Sequence, residues 1–364
     1  MDFRTRRVLF STPLYMIFEF FILKYLFLLY GGLDDLYIII LVLMLGCMQV
    51  IPMLFEKTKS RKSTRFIATV FGVWEWLLVM LFIYLLIVHI AGLFITIPEI
   101  VISILLVMII IIGIYAYYNA HRIVVKEKIL EFDNLDKEYK IIHLSDVHFG
   151  SVRHHQIIKD IKDKINSISY DCDLIIISGD LADGSCIVEE DNFMALKDVD
   201  IPIIFTSGNH DYYPGLESVH RACRNAGITV LENDVITYEN LNIYGLSFSF
   251  GDIEMPTETQ LRDVIREDMI NIVNYHIPNG WKELSDIGFD IQLSGHTHGG
   301  QFYPVIYFGK YMYEGHNMGL FKERINDRNH YLHVTTGVGS MDIPMRWGTN
   351  SEIVVLKIVK SRKK

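Results

Sequence analysis

Cysteine is scarce in this sequence: four residues of 364, Cys47, Cys172, Cys186 and Cys223, with no C-x-x-C spacing among them. So few exclude a disulfide-stapled fold, and their default reading is reduced cytosolic thiols. Histidine is nearly missing from the first third, where His89 alone of 14 falls before residue 121. Charge is thin there as well. Residues 1–120 hold nine Lys/Arg and seven Asp/Glu, against 25 and 36 in residues 121–364, so the two parts stand near +2 and −11. An acidic chain without a basic excess is not a general nucleic-acid binder, and a chain that is 51% hydrophobic is not disordered. Mean hydropathy is nevertheless positive. The apolar excess therefore sits at the N-terminal end, ahead of about 240 residues that suffice for one globular core.

Four stretches of the first 120 residues reach the length of a membrane span: Val8 to Tyr30, Leu36 to Phe55, Phe66 to Ile95 and Ile100 to Tyr118. The second and fourth contain no charged residue. The first carries Glu19 and Lys24, which are expected to offset each other or to face another helix, and it is too long and lacks the small-residue site of a cleaved signal peptide. Glu75 lies between Trp74 and Trp76, the pattern of an interfacial belt. One side of such an arrangement collects Arg4, Arg6, Arg7, Lys57, Lys59, Arg61, Lys62, Arg65, Arg122, Lys126 and Lys128, and the other collects Asp34, Asp35 and Glu99. The positive-inside rule then puts both ends of the chain, and the globular part, in the cytoplasm. The expected organisation is a four-helix membrane region at 1–120, a linker with a leading strand at 121–137, and a globular domain at 138–364. With no intramembrane run of polar residues, the helices read as an anchor rather than a channel.

Beyond residue 121 the periodicity changes. Short β-branched runs are predicted as strands at Tyr139 to Ser145, Leu174 to Ser178, Ile203 to Ser207, Leu241 to Gly245, Asn271 to Tyr275, Ile291 to Ser294, Tyr331 to Thr336 and Glu352 to Ile358. Helices are predicted at Gln156 to Ser167, Glu189 to Leu196 and from Leu216 onward, giving βαβ units of an α/β fold. Ligands in such folds gather at the carboxyl ends of strands. Those ends carry Asp146-Val-His148, Gly179-Asp180, Gly208-Asn209-His210-Asp211, His276 and Gly295-His296-Thr-His298. Three of the sets begin with Gly, which is expected to let the backbone turn. Seven oxygen and nitrogen donors exceed one tetrahedral zinc site and suit two cations, Mn, Fe or Zn, about 3.5 to 4 Å apart across a shared carboxylate.

With D-x-H, G-D, G-N-H-D, H and G-H-x-H in order over residues 146–298, the chain resembles the calcineurin-like metallophosphoesterases. The resemblance covers roughly residues 138–360 and implies a two-sheet αββα sandwich following the membrane helices. It further implies that Asp146, His148 and His298 hold one divalent metal, that Asn209, His276 and His296 hold the other, and that Asp180 bridges them. His210 looks like the general acid and a substrate contact alongside Asn209, with Asp211 orienting its ring. Thr336-Gly-Val-Gly-Ser340 and Pro344-Met-Arg346 resemble the closing segment of the membrane-linked branch of the family, in which Arg346 either pairs a phosphate oxygen or is a surface arginine.

The remaining signals are weaker. Asp183 is either behind the metal site or a turn residue; His143 and His333 read as core; His154 and His155 read as an exposed loop pair; His316 is a candidate for the rim. The aromatic segment Tyr303 to Phe321 is core, an acyl-chain wall or a face dipping into a bilayer. The expected activity is hydrolysis of a phosphate ester or anhydride. A lipid-linked substrate leads, because a linker expected to run about 17 residues, from Ala120 to roughly Asp136, keeps the site close to the bilayer, and some relatives of this branch resemble phosphoesterases of lipid-linked substrates, including pyrophosphate cleavage of UDP-diacylglucosamine in lipid A synthesis. Soluble nucleotides or phosphoproteins, and a non-catalytic metal-binding scaffold, are the alternatives. The expected setting is a multi-pass protein of a bacterial cytoplasmic membrane, with the bilayer and a phosphate-bearing substrate as partners.

Overall fold

The computed structural model describes residues 3–133, 135–249, 254–325 and 328–361; the side chains of Phe3 and Arg4 lie outside the described residues. Four helices come first: α1 (Phe3–Leu28), α2 (Asp35–Glu56), α3 (Lys62–Gly92) and α4 (Glu99–Ala120). All four contain stretches long and apolar enough to cross a membrane. Glu19 and Lys24 do not pair with each other. Glu19 is buried and accepts from Trp74 Nε1 of α3 at 2.7 Å, while Lys24 pairs with Asp35 of α2 at 2.8 Å. Lys24 thus places one neutralised basic group on the side that carries Asp34 and Asp35.

The domain contains β1 (Ile123–Phe132), β2 (Tyr139–Leu144), α5 (His154–Asn166), β3 (Leu174–Ser178), β4 (Ile203–Thr206), α6 (Leu216–Asn225), β5 (Thr229–Val230), β6 (Asp234–Tyr238) and β7 (Leu241–Leu246). It continues with α7 (Glu258–Asp263), β8 (Ile270–Tyr275), α8 (Trp281–Ile287), β9 (Ile291–Ser294), α9 (Val305–Met312), β10 (Gly319–Ile325), β11 (Arg328–Val334) and β12 (Ser351–Lys360). Two six-stranded mixed sheets run in the orders β1-β12-β2-β3-β4-β5 and β10-β11-β9-β8-β7-β6. Ile141, Leu174 and Ile176 of one sheet meet Ile243, Ile272 and Leu293 of the other in a shared core. The outer face of the first sheet packs on α5, whose Ile157, Ile158, Ile161 and Ile165 form one apolar stripe. Tyr244 and Val273 on the other outer face pack with Leu261 of α7 and Leu284 of α8. This is the expected αββα layering.

Two local expectations need correction. Glu189 to Leu196 is not a helix: Asn192 Oδ1 accepts from the Glu189 N–H at 2.9 Å, and the chain turns until a short 3₁₀ turn at Met194–Asp198. A side-chain amide competing for backbone groups favours a turn over a helix. The strand expected at Tyr331 to Thr336 lies at Arg328–Val334, because Thr336 leaves the sheet to donate its N–H to Glu352 Oε1 at 2.9 Å.

Through α3 and α4 the helices pack directly against the domain. Only two residues separate α4 from β1, and β1 pairs in parallel with β12 along its whole length. Asn119 Nδ2 donates to the carbonyls of Arg346 and Thr349 at 3.1 and 2.7 Å, and Arg346 N donates to the Ala116 carbonyl at 2.9 Å. Gly72 permits close approach of α3, since a Cβ there would fall 2.2 Å from the Asp342 carbonyl oxygen. Around these contacts Trp76, Met80 and Ala116 pack with Phe302 and Met345 of the domain.

Candidate metal centre

The five strand ends converge because their loops interlock. Asp146 N donates to the Gly179 carbonyl at 3.0 Å, His148 N to that of Asp180 at 3.0 Å, and Gly295 N to that of His276 at 2.9 Å. Five residues here take left-handed backbone: Asp146, His148, Asp180, His296 and His298, with φ between 50 and 68°. Each such residue costs about 1–3 kcal/mol, which the surrounding hydrogen bonds must offset. Of the glycines expected to turn the chain, Gly179 does so with φ 83°. Gly208 and Gly295 serve close approach instead: a Cβ would fall 2.3 Å from Asp180 Oδ1 at the former and 1.9 Å from Ser145 Oγ at the latter.

Two groups of donors result. Asp146, His148 and His298 offer ligand atoms within 4.8 Å of one another, as do Asp180, His276 and His296. In the first, His148 Nε2 lies 3.0 Å from His298 Nε2, which is 3.3 Å from Asp146 Oδ1. In the second, His276 Nε2 lies 3.2 Å from both His296 Nδ1 and Asp180 Oδ2. Asp180 Oδ2 is also 3.8 Å from His148 Nε2, so one carboxylate oxygen faces both groups. His276 Nδ1 sits 2.7 Å from the Ser178 carbonyl, which fixes the ring and turns Nε2 toward Asp180. The loop of Asn209 is tied to the second group, since His210 N donates to Asp180 Oδ1 at 2.8 Å.

Burial disfavours charge in all these groups, and their neighbours decide the outcome. Against burial, the imidazoles of His298, His148 and His276 hold Asp146 well below the usual carboxylate range. Burial is likewise outweighed at Asp180 by His276 and His210, and at His276 by Asp180, which raises that imidazole to about 9. Burial and His276 lower His296 to about 4, and burial lowers His298 to about 3. His296 and His298 resist protonation, whereas the ionised Asp146 and Asp180 draw positive charge to His148 and His276 against their burial, so the site as a whole favours cations. Asp146 Oδ1 and Asn209 Oδ1 are buried without a hydrogen-bond partner, as metal-facing oxygens would be. The donors present therefore fit two divalent metals.

Two expected roles are corrected. Asp211 does not orient His210: its carboxylate accepts from the N–H groups of Asp180, Gly208 and Ala182 at 2.9, 2.8 and 2.8 Å and ties two loops together. His210 Nδ1 instead meets the Asp183 carbonyl at 3.2 Å, leaving Nε2 turned elsewhere. Burial, with His148 nearby, lowers the His210 imidazole. Arg346 is neither on the surface nor free for phosphate. It is fully buried, and Nη2 donates to the Thr336 and Gly339 carbonyls at 2.7 Å each, while Nη1 reaches the Asn350 carbonyl and Thr349 Oγ1.

Among the other candidates, Asp183 holds its own turn through Ser185 N and Oγ, at 2.6 and 2.5 Å. His143 and His333 are core residues in contact with each other. His154 is not in an exposed loop: it opens α5, buried against Phe149, whereas His155 is exposed. His316 packs between Trp281 and Phe321. Tyr313 and Phe248 flank His296, with ring centroids 6.2 and 6.5 Å away. The aromatic segment had pointed toward Tyr313, whereas nothing near Phe248 distinguishes it in sequence.

Comparison with known proteins agrees with this arrangement. Residues 139–300 match the family model described as calcineurin-like phosphoesterase. An uncharacterized metallophosphoesterase of Helicobacter pylori is 28% identical over 67% of this chain and 66% of its own length. The phosphodiesterase YaeI of Escherichia coli is 28% identical over 65% of this chain and 87% of its own. A zebrafish (Danio rerio) transmembrane protein with metallophosphoesterase domain is 28% identical over 60% of this chain and 53% of its own. The chain thus spans just under two thirds of the Helicobacter relative and about half of the zebrafish one. With its motifs in order at the strand ends of a two-sheet α/β domain, the chain carries a calcineurin-like metallophosphoesterase domain.

Proposed function

We propose that this protein is a membrane-held phosphoester hydrolase working with two divalent metals, and that its substrate is a lipid-linked phosphodiester or pyrophosphate. The observation that carries the reading is Asp180, one carboxylate facing two His/Asp groups whose other donors point at the same space. Asp146, His148 and His298 would hold one metal, and Asn209, His276 and His296 the other, with Asp180 between them. Bound there, such a pair supplies positive charge to phosphoryl oxygens and acidifies water at neutral pH.

The chain's own groups do the rest. The interlocked backbone fixes the donors before substrate arrives. His210, held through Nδ1–H by the Asp183 carbonyl, directs Nε2 to the leaving oxygen; the ring takes up a second proton at Nε2 beside the anionic phosphoryl group and passes that proton to the leaving oxygen. Asp211 holds the loops of Asp180 and Asn209 in register through three backbone donors.

The lipid-linked reading is supported by the packing of the domain on four span-length helices, which keeps the site at the membrane. The basic groups near one set of helix ends favour the cytoplasmic face of a bacterial membrane. A UDP-diacylglucosamine-like pyrophosphate is one substrate of this chemistry. The deciding experiment is hydrolysis of bis(p-nitrophenyl) phosphate and p-nitrophenyl phosphate by the full-length protein in detergent with Mn, beside Asp180→Asn and His210→Ala. Metal-stimulated turnover that is lost in Asp180→Asn and lowered in His210→Ala supports the reading. A protein that binds two metals and turns over neither ester, in detergent or in lipid, is a binding module instead.

A further inference from the structure

Between α3 and α4 runs an open groove of about 340 Å³. Trp76, Ile83 and Ile87 of α3 and Ile109 of α4 line it, and Tyr303 and Trp347 of the domain close its upper end. No charged residue among the described ones lines it. The eleven residue steps from Trp76 to Ile87 give it a length of about 16 Å along the helix, the scale of an acyl chain and about half a hydrocarbon core. Both walls belong to helices of membrane-spanning length and composition, so the side opening faces lipid.

The upper end lies close to the metal centre in both chain and contact. Trp347 follows Arg346, whose Nη2 is 3.4 Å from His298 Nδ1, and Tyr303 is five residues beyond His298. From Tyr303 the chain enters α9, where Tyr307, Phe308, Tyr311 and Met312 are 68, 72, 86 and 62% exposed. An eight-residue helix with that many exposed aromatic and apolar side chains is at home at a lipid interface. Past its end, Tyr313 stands beside His296. Groove and helix thus place mostly apolar side chains, with Lys310 the one charge in α9, between the apolar helices and the second donor group.

The geometry points to an acyl-chain site: the tail of a phospholipid lies in the α3/α4 groove and along α9, and its phosphate reaches the metal centre. This inference rests on the proposed hydrolase reading and extends it to one class of substrate, lipids whose chains remain in the membrane during cleavage.

The test uses the full-length protein with Mn in phosphatidylcholine nanodiscs that carry a phosphatidic acid with a photoreactive diazirine on its acyl chain. The expected result is labelling concentrated in 76–112 and 303–312. An about tenfold excess of unlabelled dipalmitoyl phosphatidic acid should cut it by about tenfold, as competition for a single site requires. Ile83→Trp, which fills the groove, should abolish the competed fraction; Ile109→Phe is the milder filling if the first variant unfolds on a thermal ramp. Labelling spread evenly over all four helices and insensitive to competitor overturns the site. If the same preparation still hydrolyses bis(p-nitrophenyl) phosphate, only the acyl-chain inference falls; if it hydrolyses neither model ester, the hydrolase reading falls with it.

Discussion

Nη2 of Arg346 lies 3.4 Å from Nδ1 of His298 and gives shorter hydrogen bonds, both 2.7 Å, to the Thr336 and Gly339 carbonyls. The guanidinium braces a donor residue from behind instead of meeting substrate. Arg346→Met should therefore destabilise the protein by about 3 kcal/mol or more, because several buried carbonyls lose their donors. Thermal unfolding in detergent would register this, with KM for bis(p-nitrophenyl) phosphate almost unchanged. A large rise in KM at unaltered stability would return Arg346 to phosphate binding.

Asp180→Asn should lower bound Mn from two ions per chain toward one and reduce turnover on the order of 10³-fold. Metal stoichiometry measured beside activity checks both parts. Stripping wild type with a chelator should abolish turnover, and added Mn should restore it.

His210→Ala should reduce kcat by about 10²- to 10⁴-fold, the range of a lost general acid, with two metals still bound. The effect should shrink for esters with better leaving groups, which need less protonation. Equal losses across a leaving-group series would contradict a proton-donating role.

Asp211→Ala deprives the Asp180, Ala182 and Gly208 N–H groups of their acceptor at once. Each buried donor left unpaired costs about 1–3 kcal/mol, so loss of fold should outweigh any selective loss of kcat. Burial and the Asp180 charge raise the Asp211 carboxyl to about 7, which shows how much its setting strains the ionised form.

The pair His143 and His333 predicts a dependence on acid. Ser178 Oγ donates to Asn274 Oδ1 at 2.6 Å, so it accepts from His143 Nε2 at 2.7 Å, and His143 Nδ1 then accepts from His333 Nδ1 at 2.7 Å. Both rings are neutral in this chain. Burial lowers His333 to about 4, below the 6.5 of an exposed imidazole. The unfolded chain therefore binds the extra proton first as pH falls. Stability is complete above pH 6.5 and declines between 6.5 and 4, by on the order of 3 kcal/mol. Thermal unfolding of metal-free protein across that range, with His333→Phe flattening the slope, is the check.

The sequence carried the donors and their order because each needs a particular side chain at a strand end. It did not carry the backbone state of those donors: no residue type at Asp146 or His298 announces a left-handed turn, which follows from the hydrogen bonds that neighbouring loops impose. Roles that depend on direction were also hidden. Asp211 follows His210 in the chain, yet its carboxylate turns to the Asp180 loop, and Arg346 points into the protein. Most core strands were legible as β-branched runs. The short β5, the half-buried β6 and the half-exposed β10 lack that contrast and emerge only through pairing with partners.

The seam between β1 and β12 also governs the order in which the molecule can be completed. β12 lies between β1 and β2, so the strand that follows the four apolar helices has no sheet neighbour until Ser351–Lys360 have been synthesised. During translation, the helices and the middle of the domain must wait with an open slot beside β2. Whatever occupies that slot in the interval, a chaperone or a stray strand, competes with the protein's own final segment.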